Sequence, residues 1–497
     1  MRIKDTSQKA AEVDRPNIIL FITDQQRYDT IAALGYSYAD TPNLDRIVNQ
    51  GVSFGRCYVT APSCAPSRAS LFTGLYCHTN GVFVNNRDAW RHTWIERLAD
   101  AGYRCVNVGK MHTSPWDTPA GFHERYVVEN KDRFRFDRWF IDEWDKALRI
   151  RGYEKPSRAT YGKWPDWEER LGAYEWRLPA DLHPDNFVGD FAAWWLDRQK
   201  ARWWNNEGQT DKPIFLQVGF PGPHPPYDPV PEYAKRYVDK DLPIIDPTEE
   251  SLEEQPEVMK KLREYMMKNN PDSIRHLANP TPQQRLRQRA YYLANVSMID
   301  AQVGQVLDAL ERNGYLENAV VVFTSDHGDS LGDHGHSQKW NMYEEVVRVP
   351  LLFWRPGHYG PNICVNELVQ HFDIAPTILE IAGVAVPEWF EASSLLPFLE
   401  GDPASQGREV VFSEHGRDKP LADIDFMTMV RRSRWKLVHF AGDKEGQLFD
   451  LDEDPFEFRN LWDDPESSSV KRLLLDDLRE WLISSNVRTH TWRANSR

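Results

Sequence analysis

Four short apolar runs punctuate the chain, and polar residues that can do chemistry follow each run at once. The runs are NIILFITDQQ (17–26), YRCVNVGKMH (103–112), PIFLQVGFPGPH (213–224) and AVVVFTSDHGD (319–329). Such continuous runs, rich in β-branched residues, are typical of strands that are buried on both faces of a parallel sheet. Between Tyr292 and Arg312 apolar residues recur at helical spacing and predict a helix. This alternation of strands and helices predicts a layered α/β fold.

The polar residues at the ends of these runs predict a common site. Ligands of parallel sheets bind beyond the carboxyl ends of the strands, so we expect these side chains to converge there. They are Asp24, Gln25, Lys110, His112, His224, Asp326 and His327. Taken singly, each has a structural alternative, because a polar residue after a strand is often a turn former or a helix N-cap. Four strands that end in this way favour a shared site over chance.

The pattern changes past residue 400. Segments 408–415, 426–440 and 446–455 predict short antiparallel strands, and an acidic helix is expected at about 466–485. We therefore expect a catalytic domain over residues 14–400 and a C-terminal α+β subdomain over residues 401–497.

Two irregular stretches, about 130–185 and 228–285, predict insertions that face the substrate. The first stretch is rich in tryptophan, and the second is rich in proline and charge. The tryptophans of the first would form a stacking platform or a cage for a quaternary ammonium group, or would simply bury the insertion. They include Trp139, Trp144, Trp164 and Trp167.

The composition of the chain mainly excludes classes of protein. With 497 residues the chain can bury a large core, and its formal net charge of −15 argues against nucleic-acid binding. Five cysteines in so long a chain do not predict a disulfide framework. The N-terminal fifteen residues lack the apolar core of a signal peptide, and no stretch has the apolar length of a membrane span. We expect a soluble, cytoplasmic protein with no membrane partner.

Residues 64–74, CAPSRASLFTG, carry the most specific candidate chemistry. Pro66 suits the first turn of a helix that would begin near Cys64, and that helix end, with Arg68 one turn on, would favour an anion. Cys64 could be a small buried hydrophobe or the nucleophile of a Cys/His hydrolase. The carboxylates and the amide at the strand ends, however, suit Ca²⁺, Mg²⁺ or Mn²⁺. A thiolate nucleophile beside such a hard cation is an unusual combination.

The motif C-A-P-S-R followed by A-S-L-F-T-G resembles the signature of the type I sulfatases, the formylglycine-dependent branch of the alkaline-phosphatase superfamily. The resemblance continues in order through TDQQRYD, TPNLDRI, GKMH, PHPPY, TSDHGD, HSQKWNMYEE and LFDLDEDPFEFRNL, and it covers nearly the whole chain. It implies an α/β/α sandwich around a large, mostly parallel sheet, with a smaller antiparallel sheet in the C-terminal subdomain. It also implies that a formylglycine-generating enzyme oxidises Cys64 to formylglycine (3-oxoalanine).

The resemblance also implies the cofactor and the roles of the site residues. One divalent cation is expected, with Ca²⁺ first and Mn²⁺ or Mg²⁺ left open. The implied metal ligands are Asp24, Gln25, modified Cys64, Asp326 and His327. The implied nucleophile is modified Cys64, and the positive charges of Arg68, Lys110 and Lys339 would balance the negative charge on the sulfuryl oxygens. His224 is implied as the acid for the leaving alcohol, and His112 as the base that helps to release sulfate.

Two departures from the family pattern bear on the substrate. This chain has Asp-Gln at 24–25 and Asp-His at 326–327, where many members of the family have Asp-Asp and Asp-Asn. Asp-Gln together with Asp-His resembles the choline sulfatase and phosphonate monoester hydrolase branches. The G-K-x-H match at residues 109–112 favours sulfate esters. We therefore expect a sulfuric ester hydrolase that acts on an aryl, choline or sugar sulfate. The alternatives are a phosphonate monoester or phosphodiester hydrolase that uses the same site, and a catalytically silent relative that only binds metal and ligand. The oligomeric state stays open.

Overall fold

The computed structural model describes residues 15–85, 90, 92–132, 140–199, 212–416, 418–421 and 424–495, the side chains of 491–495 excepted. The first 14 residues, on which the localisation prediction partly depends, and Trp139 lie outside these ranges. Within them, no helix combines the length and the apolar character that a membrane crossing requires.

A large sheet of nine strands organises the described part of the chain. Its strands are β1 (Asn17–Asp24), β2 (Val52–Tyr58), β3 (Arg104–Gly109), β4 (Glu124–Val127), β5 (Ile214–Pro223), β6 (Ala319–Ser325), β7 (Arg348–Val349), β8 (Leu351–Trp354) and β9 (Ile363–Gln370). They are ordered β4-β3-β5-β1-β6-β8-β2-β7, and β9 pairs with β2. β7 and β8 pair antiparallel with their neighbours, whereas the other pairings are parallel. The predicted mostly parallel sheet is therefore confirmed.

Helices cover both faces of this sheet, because its central strands are apolar on both sides. In β1, Ile18, Leu20 and Ile22 join one buried cluster, whereas Ile19 and Phe21 join the other. This alternation explains why the run in the sequence is continuously apolar.

The described helices are α1 (Pro42–Gln50), α2 (Cys64–Thr73), α3 (Cys77–Asn80), α4 (Trp94–Asp100), α5 (Glu143–Ile150), α6 (Arg158–Tyr161), α7 (Trp167–Arg170), α8 (Pro184–Gln199), α9 (Pro231–Ala234), α10 (Glu249–Glu253), α11 (Glu257–Asn269), α12 (Pro282–Arg312), α13 (Glu344–Val347), α14 (Ile374–Ile381), α15 (Leu396–Leu399) and α16 (Ser468–Asn495).

The two helical layers confirm the expected α/β/α sandwich. Helices α1, α8 and α12 supply apolar side chains to one cluster, and α2, α4 and α14 supply them to the other. The helix expected from Tyr292 begins earlier, at Pro282, where Thr281 and Gln284 form a capping box.

A second, four-stranded sheet follows past residue 400. It consists of β10 (Val411–His415), β11 (Met427–Arg431), β12 (Trp435–Phe440) and β13 (Gly446–Asp450), paired antiparallel in chain order. Leu474, Leu478 and Trp481 of α16 share a buried cluster with Val430 and Leu437 of this sheet. The smaller antiparallel sheet and its helix therefore match the sequence prediction, and α16 extends beyond the expected end.

Candidate active site

The two central parallel strands bring the predicted carboxylates together. β1 and β6 are paired in register, with Thr23 opposite Ser325, so the next residues along both strands meet at the same edge. Asp326 N donates to Thr23 O at 3.2 Å, and Gln25 N donates to Asp326 Oδ1 at 3.0 Å. Asp24, the last residue of β1, and Asp326, directly after β6, are both fully buried. The predicted convergence at the carboxyl ends of the strands is observed for these residues.

Four of the predicted ligands form one tight cluster. The ligand atoms of Asp24, Cys64, Asp326 and His327 all lie within 4.8 Å of one another, and all four residues are buried. His327 Nδ1 lies 2.8 Å from Gly328 O, so the ring donates there and turns a lone pair at Nε2 toward the cluster. Two carboxylates and an imidazole nitrogen are a donor set that fits a divalent cation.

Gln25 adds an amide oxygen to this donor set. Its Nε2 donates to Asp329 Oδ2 at 2.7 Å, and its Oε1 accepts from Lys339 Nζ at 3.1 Å. Lys339 Nζ is also 2.8 Å from Cys64 Sγ, so Oε1 faces the same point as the sulfur. Gln25 has a φ of 74°, in the left-handed region, and this backbone conformation lets the chain turn sharply after β1.

Cys64 lies at the centre of the cluster as the first residue of α2. Its Sγ is 3.2 Å from His327 Nε2 and 3.4 Å from Asp24 Oδ1. Burial and the charge of Asp24 raise the pKa of this thiol to about 12, and Lys339 only partly offsets them. A cysteine that acts as a nucleophile needs the opposite shift, toward the thiolate. The environment of Cys64 therefore disfavours an ordinary Cys/His hydrolase.

Three buried cations surround the two aspartates. Lys110 Nζ pairs with Asp24 Oδ2, and Lys339 lies over Cys64. Arg68 Nε donates to Asp326 Oδ2 at 2.6 Å, and its Nη1 donates to Lys110 O at 3.1 Å. The Arg68 guanidinium thus lies behind Asp326, where it holds that carboxylate, while the two lysine ammonium groups lie beside Cys64 and Asp24. Three positive charges against two carboxylates leave the site attractive to an anion.

The pKa shifts follow from this packing. Burial by itself raises the pKa of Asp24, but Lys110 and other nearby positive groups lower it well below its ordinary value. Burial lowers the pKa of Lys339, yet Cys64 and Asp24 outweigh it and the pKa is raised. Asp24 is therefore a carboxylate and Lys339 an ammonium group at neutral pH.

The two predicted histidines outside the cluster follow β3 and β5. The backbone N of His112 donates to both carboxylate oxygens of buried Glu129, at 3.2 and 3.1 Å, and its ring lies against Trp116. His224 is buried directly after β5 and lies near Asp24, whose pKa it would lower when protonated. Burial, and then Lys339, lower the pKa of His224 well below its ordinary value.

Several buried polar residues that position the site have no motif in the sequence. Lys131 Nζ donates to Pro226 O at 3.0 Å and pairs with Asp228 Oδ1 at 2.6 Å, which anchors the loop after His224. Asp185 Oδ1 accepts from Gly222 N at 2.7 Å on the other side of the same loop. Sequence reasoning missed them because a buried network is defined by contacts between distant segments.

The described tryptophans of the first irregular stretch pack against other residues of the same stretch. Trp144 is fully buried, and its Nε1 donates to Leu182 O at 2.8 Å. Trp164 meets Tyr174 edge-on, with ring centroids 5.0 Å apart. These contacts favour the interpretation in which the tryptophans bury the segment. Trp139 lies outside the described residues.

Comparison with known proteins identifies the family of this site. The sulfatase family model matches residues 16–384, and the model of the C-terminal region of N-sulphoglucosamine sulphohydrolase matches residues 332–483. The first match spans the whole large sheet and the cluster around Cys64.

Individual relatives agree with this match. An arylsulfatase of Clostridium perfringens is 30% identical over 94% of this chain and 94% of its own length. An N-acetylglucosamine-6-O-sulfatase of Bacteroides thetaiotaomicron is 27% identical over 94% of this chain and 86% of its own. The crystal structure of a phosphonate monoester hydrolase of Agrobacterium radiobacter superposes with a TM-score of 0.76 at 25% identity, over 95% of this chain and 96% of that chain. The chain belongs to the sulfatase family of sulfuric ester hydrolases, on the alkaline-phosphatase fold.

Proposed function

We propose that the chain hydrolyses a sulfate monoester with formylglycine made from Cys64 and with one divalent cation, Ca²⁺ first. The position of Cys64 carries this proposal. Its sulfur lies within 3.4 Å of Asp24, His327 and Lys339, yet its thiol pKa is raised to about 12. The surroundings thus suit a metal-bound oxygen donor better than a thiolate.

Formylglycine and the divalent cation would supply chemistry that none of the twenty standard side chains offers. Hydrated formylglycine offers two hydroxyls on one carbon, one to attack sulfur and one to let the sulfate leave. The cation would be held by Asp24, Gln25, Asp326 and His327, and it would act as a Lewis acid beside residue 64. Arg68 supports this site because it neutralises Asp326 and fixes its orientation.

The chain's own residues would bind the sulfuryl group and move protons. Lys110 and Lys339, two buried ammonium groups beside Asp24 and Cys64, would neutralise the negative charge that develops on the sulfuryl oxygens. His224 would protonate the leaving alcohol as a general acid, and His112 would act as the base in sulfate release. Burial keeps His224 neutral without a ligand, so the charge of a bound sulfate ester must raise its pKa before it can donate. Asp272, 3.9 Å from His224 Nε2, acts in the same direction.

Mass spectrometry of the peptide that contains residue 64 tests the modification. Protein made together with a formylglycine-generating enzyme should carry an aldehyde in place of the thiol, and its turnover of an aryl sulfate should scale with the modified fraction. Cys64→Ala, made in the same host, is the matched control. Full activity in a sample whose Cys64 is an intact thiol would contradict the proposal.

Elemental analysis tests the cation. We expect about one equivalent of Ca²⁺ per chain in active protein, and its loss with activity on treatment with a chelator. Re-addition of Ca²⁺, Mn²⁺ or Mg²⁺ then decides which ion restores turnover. Asp326→Ala should retain the fold and lose both metal and activity, whereas active protein that holds no metal would refute the assignment.

A phosphonate monoester or phosphodiester hydrolase is the second candidate. The Asp-Gln and Asp-His pairs favour it, as does the similarity to the Agrobacterium radiobacter hydrolase. Sulfuryl and phosphoryl transition states present similar oxygens to similar charges, so the site tolerates both. The comparison is kcat/KM for matched aryl sulfate, phosphonate monoester and phosphodiester. A preference for phosphorus by more than about tenfold, or about 1.4 kcal/mol of transition-state stabilisation, would make this candidate the better one.

A further inference from the structure

A basic cavity of about 230 Å³ lies between α11, the start of α12 and the loop that leads to Lys339. We call it the arginine cavity, after Arg263, Arg275 and Arg285, which line it. The cavity walls continue from the candidate active site along two segments. Ser337, in one wall, is two residues before Lys339, and Arg275, in another, is three residues after Asp272, which faces His224. Both segments run directly from the candidate active site into the cavity wall, and one of them begins at the residue that faces His224, the proposed acid for the leaving group.

The arginines of this cavity are weakly neutralised. Among the described residues Arg263 forms no ion pair, and burial lowers its pKa. Arg275 is 3.8 Å from Glu168, whose side chain is 75% exposed. Arg285 pairs with Asp246, whose side chain is 59% exposed. Ion pairs with such exposed carboxylates are weak, so positive charge remains for an anionic ligand.

Buried polar atoms in the cavity wall have no hydrogen-bond partner in the protein. His276 lines the cavity with only 7% of its surface exposed, and its Nε2 is unpartnered. Arg285 Nε and Ser337 Oγ are also buried and unpartnered. Buried polar groups are nearly always hydrogen-bonded, so these three atoms indicate a polar ligand or ordered water. Burial lowers the pKa of His276 to about 3, so its neutral ring can bond a hydroxyl group.

The lining also bears on which leaving group fits. Its described residues include no phenylalanine, tyrosine or tryptophan, so they offer no cage for a quaternary ammonium and no stacking platform for an aryl ring. Glu249 is the one carboxylate among them, against three arginines. The cavity thus favours an anionic and hydroxylated group over choline or a plain phenol.

We propose that the arginine cavity is the leaving-group subsite and that it binds an acidic sugar, one that carries a carboxylate or a second sulfate. This inference rests on the proposed function, because it names the substrate class of the same site. The arginines would bind the extra anion, while His276 and Ser337 would bond the sugar hydroxyls. The chain would then act on sulfated saccharides that carry, besides the sulfate that is cleaved, at least one further negative charge on the released unit.

Product binding, which needs no turnover, tests the subsite apart from the catalytic proposal. Calorimetry should compare N-sulfoglucosamine with N-acetylglucosamine and glucuronic acid with glucose, each pair differing in one anionic group. We expect at least one anionic sugar to bind at least tenfold more tightly than its neutral partner. The double variant Arg263→Ala/Arg275→Ala should lose that preference, whereas Arg287→Ala, which removes an exposed charge outside the lining, should keep it. Equal binding within both pairs, or an unchanged preference in the double variant, would overturn the proposal.

Kinetics then distinguish the two proposals from each other. In the double variant we expect KM for a sugar sulfate with a second anion to rise at least tenfold with kcat nearly constant, and the loss for 4-nitrophenyl sulfate to be smaller. Equal losses for both substrates would overturn the subsite even if sulfate hydrolysis is real. Selective sugar binding without turnover of any sulfate ester would instead refute the proposed function.

Discussion

Asp329 orients the side-chain amide of Gln25 by accepting a hydrogen bond from its Nε2 at 2.7 Å. The same carboxylate oxygen accepts from Tyr227 OH at 2.6 Å, and the other accepts from Gln338 N at 2.9 Å. One buried carboxylate thus fixes a candidate metal ligand, the loop after His224 and the segment before Lys339. A partner of this kind sets which end of the amide faces the metal.

Asp329→Asn should therefore weaken cation binding without removing a ligand. An asparagine amide at this position would oppose the Gln25 amide donor to donor, so Gln25 would turn its nitrogen toward the cluster. We expect a loss of about 10- to 100-fold in cation affinity, measured by competition with a chelator. The exposed Asp308→Asn is the control and should bind as the parent protein does. Unchanged affinity in Asp329→Asn would refute the orienting role.

Cys64→Ser should abolish turnover, because a serine can accept a sulfuryl group once but lacks the second hydroxyl that releases it. The expected loss in kcat for an aryl sulfate is about 10⁴-fold or more, in line with removal of a covalent nucleophile. Intact-mass measurement after incubation with substrate would detect a single transfer to the serine. Multiple turnovers by the serine variant would contradict the formylglycine proposal.

His224→Ala should slow the reaction according to the leaving group. A poor leaving alcohol, such as a sugar hydroxyl, needs protonation, so we expect about a 10²- to 10⁴-fold loss in kcat/KM for a sugar sulfate. 4-Nitrophenyl sulfate releases a stable phenolate and should lose much less. The check is a series of aryl sulfates of graded phenol pKa, for which the variant should depend more steeply on that pKa. Equal losses along the series would argue against the general-acid role.

Lys436→Met should destabilise the contact between α13 and the small sheet. Lys436 is fully buried, lies 3.2 Å from Glu344 and also pairs with Glu457. Its removal takes a buried ammonium partner from both carboxylates and leaves Glu344 with Arg431 at 3.9 Å, which costs about 3–5 kcal/mol of unfolding free energy. Thermal or denaturant unfolding measures this loss, with the exposed Lys444→Met as the control. A variant as stable as the control would refute this role.

His371 should make stability fall below neutral pH. It is fully buried against Ser67 of the Cys64 helix, with Nε2 3.1 Å from Ser67 O, and burial lowers its pKa to about 4. Between about pH 6.5 and pH 4 the unfolded chain binds a proton that the folded chain refuses, so the stabilisation present above pH 6.5 is lost as the pH falls. The expected contribution is about 3 kcal/mol across that window.

A variant without the titrating ring isolates this contribution. His371→Gln should show a shallower fall in unfolding free energy between pH 7 and pH 4 than the parent protein, whereas the exposed His358→Gln should match the parent. Parallel pH profiles for parent and His371→Gln would show that another group governs acid unfolding.

The sequence by itself determined the parts of this protein that are encoded locally. The apolar runs of β1, β3, β5 and β6 predicted a buried parallel sheet, because burial on both faces leaves a continuous apolar signal. The polar residues after β1 and β6 were found for the same reason, since strand ends in a parallel sheet share one edge. The 64–74 motif identified Cys64 as the special residue. The strands β2, β4, β7, β8 and β9 were missed, and β9 has only three buried residues to mark it.

Only the tertiary structure decided how these residues are used. The pairing of Arg68 with Asp326, the orientation of Gln25 by Asp329 and the basic lining of the arginine cavity each join segments far apart in the chain. Gln25 and Asp329, for example, are 304 residues apart. A buried charge must find its partner wherever the fold brings one, and no local pattern records that choice. The candidate ligands Asp24, Asp326 and His327 could thus be predicted from strand ends, whereas the groups that orient the candidate ligands and the arginines that line the cavity could not.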